Sequence, residues 1–200
     1  EERDIVGSFD LPNVHVNITA VVERQKKTDR NVLGLLPPVE DTENPEYVMV
    51  GAHYDHVGHG EIDSLARKGE EGHVHNGADD NASGVSTVLE LAASLAKARK
   101  ENPQNFRRGV IFALWSGEEM GIIGSSYFTK HPTVPIKNIA AYINFDMVGR
   151  LKDNRLIIQG TDSSEYWLKL IEKRNVAAGF NLVLQHDPYL PTDVTALYPE

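Results

Sequence analysis

Two histidines and an aspartate stand within four residues at His53-Tyr54-Asp55-His56. An acidic pair, Asp79-Asp80, lies inside Gly77-Ala78-Asp79-Asp80-Asn81-Ala82-Ser83-Gly84. A second pair, Glu118-Glu119, follows Ser116-Gly117, and Asp146 follows Asn144-Phe145. Carboxylates packed together repel one another and push one another's pKa values upward. A divalent cation removes that cost, and a donor set of imidazole and carboxylate suits zinc among other metals. The chain has no cysteine, which excludes disulfides, thiolate metal sites and cysteine nucleophiles. A set without thiolates fits an open, reactive centre better than a closed structural one.

Elements of secondary structure must bring these residues together. Residues 47–52 (YVMVGA) are almost wholly apolar, as expected of a strand covered on both faces, and they run into His53. Residues 110–115 run into Ser116-Gly117-Glu118-Glu119, and residues 139–145, a third central strand, run into Asp146. Val85, Val88, Leu89, Ala92, Leu95 and Ala96 share one helical stripe, so the Gly77–Gly84 motif opens a helix. In open α/β sheets, sites form outside the carboxyl ends of strands. A single His or acid there would be an ordinary hydrogen-bonded residue. Four clusters converging on one edge predict a shared site.

The rest of the chain reads as alternating strands and helices, an α/β layer pattern. Residues 14–22 (VHVNITAVV) alternate with a period near two and predict a strand. Residues 32–36 predict its returning partner in an antiparallel hairpin. Residues 58–76 form a long polar loop, residues 124–130 a short helix, 156–159 a strand, 164–177 a helix and 182–185 a last strand. The 200 residues are 40% apolar and 24% charged, which argues against disorder. No apolar run approaches the roughly 20 residues of a membrane helix. A net charge of −9 argues against nucleic acid as a partner.

The motifs HYDH at 53–56, GADDNASG at 77–84, GEE at 117–119 and NFDMVG at 144–149 resemble those of the co-catalytic di-zinc exopeptidase family. That family includes secreted bacterial leucyl aminopeptidases, plasma glutamate carboxypeptidase, glutaminyl cyclases and the transferrin receptor. The resemblance covers residues 13–200 in order and spacing. It implies a three-layer α/β/α fold with a mixed, mostly parallel central sheet flanked by helices. It also implies two zinc ions. His53 and Asp146 match ligands of one ion, Asp80 the carboxylate that bridges both, and Glu119 a ligand of the second. Glu118 matches the general base, and Asp55 the acid that orients His53. A cis Asp80–Asn81 peptide is implied as well. The implied activity is hydrolysis of the N-terminal peptide bond of peptides by a metal-bridged water. A secreted, periplasmic or cell-surface location comes with it.

The family's fifth ligand is a late histidine, and none stands in its context here. Thr192-Asp193 resembles the step that precedes it, with Val194 where a histidine is usual. The expectation is therefore that residues 1–200 are most of a single catalytic domain whose C-terminal part is missing. In that case the second zinc site is incomplete. The alternative is that His186 or His75 substitutes. The loop histidines His56, His59, His73 and His75 read as solvated or loop-bonding residues. Carboxypeptidase or glutaminyl cyclase chemistry on the same fold, and a catalytically inert binding module, are the rival functions. The paired His53 and Asp55 weigh against the cyclases, and the retained acids weigh against an inert module.

Overall fold

The computed structural model describes residues 12–22, 26–40, 42–60, 69 and 72–198. A four-stranded sheet has the order β1-β3-β2-β4, where β1 is Val32–Leu36, β2 Tyr47–His53, β3 Gly109–Trp115 and β4 Ile139–Asn144. The β2–β3 and β2–β4 pairs are parallel and β1–β3 is antiparallel, so the sheet is mixed and mostly parallel. β2 lies between two partners and is buried along nearly its whole length, which is why it carries no polar alternation.

Helices cover both faces. α1 (Gly84–Glu101) packs on β2 and β3, with Val88 buried beneath it. On the opposite face, α2 (Ile123–Lys130) sets Phe128 against Met49, Ile111, Ala113 and Trp115. The short α4 (Asp193–Leu197) packs on α2 and β4. The expected α/β architecture with flanking helices is therefore present. β5 (Arg155–Gln159) and β6 (Asn181–Gln185) pair in parallel as a separate two-stranded sheet, joined by α3 (Tyr166–Ala178). An apolar cleft of about 530 Å³ separates β4 from β5.

Two sequence-based expectations need correction. Residues 14–22 form no strand, and Val16, Ile18 and Val22 are 73%, 84% and 90% exposed. β1 pairs instead with β3, from Val32 opposite Leu114 to Leu36 opposite Val110. Alternation encodes a two-faced segment but not its partner, and residues 14–22 have no ladder among the described residues. β4 was expected to be central, yet it occupies the edge of the four-stranded sheet, and Ile143 is 39% exposed.

The start of α1 is fixed by close approach. A Cβ on Gly84 would lie 2.3 Å from the Phe145 carbonyl oxygen and 2.4 Å from Asn81 Oδ1. The peptide between Asp80 and Asn81 is cis, as the resemblance implied. The buried Asn81 ties the turn down: its amide donates to the Phe145 carbonyl at 2.9 Å, and its oxygen accepts the Gly84 N–H at 2.9 Å. Gly84→Ala must therefore push the helix off the end of β4, at an expected cost of about 2 kcal/mol or more. For a chain of this length that lowers the melting midpoint by about 5 °C. An unchanged midpoint in a thermal melt would show that the contact is soft.

Candidate metal centre

His53 ends β2 and is completely buried. Its Nδ1 lies 3.0 Å from the Asp55 carbonyl oxygen. A carbonyl only accepts, so Nδ1 carries a proton, and Nε2 presents a lone pair whenever the ring is neutral. Among the described residues, Nε2 has no hydrogen-bond partner. Around it stand Asp80 Oδ1 at 3.1 Å, Asp146 Oδ1 at 3.5 Å and Glu118 Oε2 at 4.0 Å. A lone pair facing three carboxylates is repulsive unless a proton or a cation stands among them. Burial pulls the His53 imidazole pKa down. The hydrogen bonds and charges of Asp146, Asp55 and Glu118 outweigh it and push the pKa up to about 11. The residues thus demand positive charge at this point, and their N and O donors suit zinc.

His53, Asp80 and Asp146 form one group of potential ligand atoms, all within 4.8 Å of one another. His56, Asp80 and Glu119 form a second. Asp80 belongs to both. Three strand ends and one helix start therefore converge: β2 supplies His53, β3 leads to Glu118 and Glu119, β4 leads to Asp146, and Asp80 precedes α1.

Asp55 holds His53 through its backbone carbonyl, whereas its carboxylate Oδ1 is 3.7 Å from Nδ1. That carboxylate accepts the backbone N–H groups of Glu118 at 3.2 Å and Glu119 at 3.3 Å. One residue thus orients the imidazole and fastens the turn carrying both glutamates. Burial raises the Asp55 pKa, but His53 and the two N–H donors outweigh it and hold the carboxyl below its usual value. Glu118 behaves oppositely. Burial pushes it up to about 7, with the charges of Asp193, Asp146 and Glu119 adding and His53 opposing.

His186, weighed as a substitute ligand, lies elsewhere: its Nδ1 is 2.9 Å from Asp162 and 3.1 Å from Thr161. His75 joins neither ligand group, and its ring meets the edge of His56 at a centroid distance of 6.2 Å. His56, read as a loop histidine, instead contacts Glu119 Oε1 through Nδ1 at 2.5 Å. Tyr54, a possible pocket-lining residue by sequence, donates its hydroxyl to the Arg30 carbonyl at 2.6 Å.

Asp193 is a further buried acid that composition and spacing did not assign. Its Oδ1 accepts from the Ser125 hydroxyl at 2.6 Å, and its Oδ2 has no hydrogen-bond partner among the described residues. Burial pushes its carboxyl up to about 6, against the Ser125 hydrogen bond and the His53 charge, with Asp55 and Asp146 adding. A folded-state pKa above the unfolded one means that the folded chain binds the proton more tightly. Stability then falls as pH rises from the unfolded pKa through about 6. Asp193→Asn keeps an acceptor for Ser125 and removes the buried charge. In metal-free protein the variant should gain about 2–3 kcal/mol over wild type between pH 4 and pH 7. Urea unfolding at the two pH values measures it, and a pH-independent difference would refute the buried-charge account.

Residues 31–195 match peptidase family M28. The chain belongs to peptidase family M28. An aminopeptidase of Pseudomonas aeruginosa is 34% identical over 168 residues, which is 82% of this chain and 26% of that protein. Aminopeptidase YwaD of Bacillus subtilis is 32% identical over 124 residues, 62% of this chain and 22% of that protein. The chain thus spans about a quarter of the length of these curated M28 relatives. A solved zinc aminopeptidase from Bacillus subtilis superposes with a TM-score of 0.61 at 25% identity, over 84% of this chain and 37% of that one. A Bacteroides thetaiotaomicron glutaminyl cyclase superposes with a TM-score of 0.59 at 22% identity, a likeness of fold alone. It covers 84% of this chain and 60% of the cyclase. Within the M28 frame, fold does not choose between hydrolase and cyclase, so the choice falls to the site.

Proposed function

We propose that this chain is most of the catalytic domain of a zinc-dependent aminopeptidase that hydrolyses the N-terminal peptide bond of peptides. The observation that carries the reading is the buried His53 Nε2, without a hydrogen bond among the described residues and ringed by Asp80, Asp146 and Glu118. His53, Asp80 and Asp146 would hold one ion, and Asp80 with Glu119 would serve a second. Bound zinc supplies Lewis acidity: it acidifies a water and polarises the scissile carbonyl.

Glu118 is the general base in this reading. It is the least exposed of the three carboxylates facing Nε2, and its proton affinity lies near neutrality, where such a base works best. Glu118 takes one proton from water as the oxygen adds to the carbonyl carbon. It returns that proton to the amine nitrogen as the C–N bond breaks. Asp55 fixes Glu118 through its backbone N–H and the His53 ring through Nδ1, so base and ligand keep one register. Tight anchoring of this kind favours a preorganised site.

A position outside the cytoplasm belongs to the same proposal. One relative, from Mycobacterium tuberculosis, is named a probable lipoprotein aminopeptidase. Among the described residues, no helix is long and apolar enough to cross a membrane.

A substrate panel tests the activity on the intact protein. Aminoacyl chromogenic substrates should turn over, whereas substrates blocked at the amino end and free at the carboxyl end should not. Release of ammonia from an N-terminal glutaminyl peptide would favour a cyclase, and silence throughout would favour an inert binding module.

A further inference from the structure

The Asp55 carboxylate grips the Glu118–Glu119 turn from one side, and a second grip comes from the segment ahead of β1. We infer that Asp29 and Asn31 are positioning residues for Glu118. The inference rests on the reading of Glu118 as the general base and goes beyond it by naming what holds that base in place.

Strand register puts the segment there. β1 pairs antiparallel with β3, with Val32 opposite Leu114. Continued backwards, that register lays residues 29–31 beside residues 115–117, the stretch that leads into Glu118. Asn31 closes on it with both ends of its amide. Its Oδ1 accepts the Ser116 N–H at 3.2 Å, and its Nδ2 donates to the Gly124 carbonyl at 2.8 Å. One side chain thus ties the entry of the turn to the start of α2. The fit is close: a Cβ on Gly124 would lie 2.4 Å from Asn31 Oδ1 and 2.3 Å from the Ser116 carbonyl oxygen.

Asp29 adds a second tie and extends it to β2. Its Oδ2 accepts the hydroxyl of the buried Ser116 at 2.5 Å. Its Oδ1 lies 3.0 Å from the Tyr54 hydroxyl, which also reaches the Arg30 carbonyl. Tyr54 stands between His53 and Asp55, and Ser116 stands two residues before Glu118. One carboxylate therefore fastens the end of β2 to the end of β3, the two places that supply the first histidine and the base. Neither Asp29 nor Asn31 belongs to a group of potential ligand atoms. Their effect on the chemistry passes through position or through charge, and a conservative variant separates the two.

Hydrogen exchange on metal-free protein gives a readout that needs no activity. Asp29→Ala should speed exchange of the Glu118 and Glu119 amides by at least about 10-fold, the scale of one lost hydrogen bond to a charged group. The Met49 amide, in the core of the sheet, should keep its rate. A global loss of stability would speed all three alike. Asn31→Ala should speed the same two amides, with circular dichroism checking its fold. In zinc-loaded protein, D29A should lose about 10–100-fold in kcat toward an aminoacyl substrate, with KM and zinc content as in wild type. Asp29→Asn should restore most of that loss, because an amide of the same shape accepts from Tyr54 and donates to Ser116. Ser116→Ala should reproduce part of the loss, and the double variant D29A/S116A should fall short of the product of the two.

Unchanged exchange at Glu118 and Glu119 in D29A, or equal acceleration at Met49, overturns the inference. So does a D29N variant as slow as D29A, which would make Asp29 act by its charge, and so do losses that multiply in the double variant. A wild type silent toward aminoacyl substrates overturns the aminopeptidase reading instead. The exchange rates then still decide whether residues 29–31 hold the turn.

Discussion

Glu118→Gln should retain its full zinc content and lose about 10²–10⁴-fold in turnover of an aminoacyl substrate. The two halves of that result have different causes. Glu118 joins neither group of potential ligand atoms, so metal content should not depend on its charge. Its Oε2 is 4.0 Å from the His53 nitrogen, close enough to act on a water held among the ligands. Glutamine preserves the shape and the backbone N–H that Asp55 accepts, while removing the ability to carry a proton. The loss should fall on kcat, with KM little changed, because a proton acceptor acts in the transition state rather than in ground-state binding. Metal analysis and steady-state kinetics on one preparation decide it. Turnover within a factor of a few of wild type would remove Glu118 as the base. Loss of zinc would make it a ligand instead.

Asp80→Asn should damage metal binding more than any other single change at the centre. Asp80 is common to the His53–Asp146 group and the His56–Glu119 group. Substituting the amide removes one negative charge from both and leaves a weaker oxygen donor. Zinc content should fall from two ions to one or fewer, with affinity down by at least about 100-fold and activity lost with it. Full occupancy of both positions in Asp80→Asn would end the bridging assignment.

Much of this centre is legible from sequence because strand ends deliver it. An apolar run such as residues 47–52 has only one comfortable place, in a sheet covered on both faces, and that fixes where His53 lies. The stripe from Val85 to Ala96 fixes α1, and α1 fixes the turn that carries Asp80. What sequence left out depends on tertiary partners. Residues 14–22 have the rhythm of a strand without a ladder, because β3 takes β1 as its antiparallel neighbour. β4 has the composition of a central strand and occupies an edge, since composition reports burial and not the number of neighbours. The site departs in similar ways. Asp55 orients His53 with its backbone, and a backbone contact leaves no trace in residue type. His56 meets Glu119 across 63 residues of sequence, and Asp193 meets Ser125 across 68. Neither pairing has a local pattern, so only the folded chain reveals it.

In the proposed two-ion centre Asp80 would serve both cation positions, since it belongs to both groups of potential ligand atoms, and the positions would then not fill as independent events. A charge bound at the first settles the repulsion on the shared carboxylate and alters what the second finds there. By reciprocity, the second ion must change the hold on the first by the same factor. Graded removal of zinc by a chelator should then give an activity curve that two independent sites do not fit. One aspartate would thus tie the occupancy of each position to that of the other.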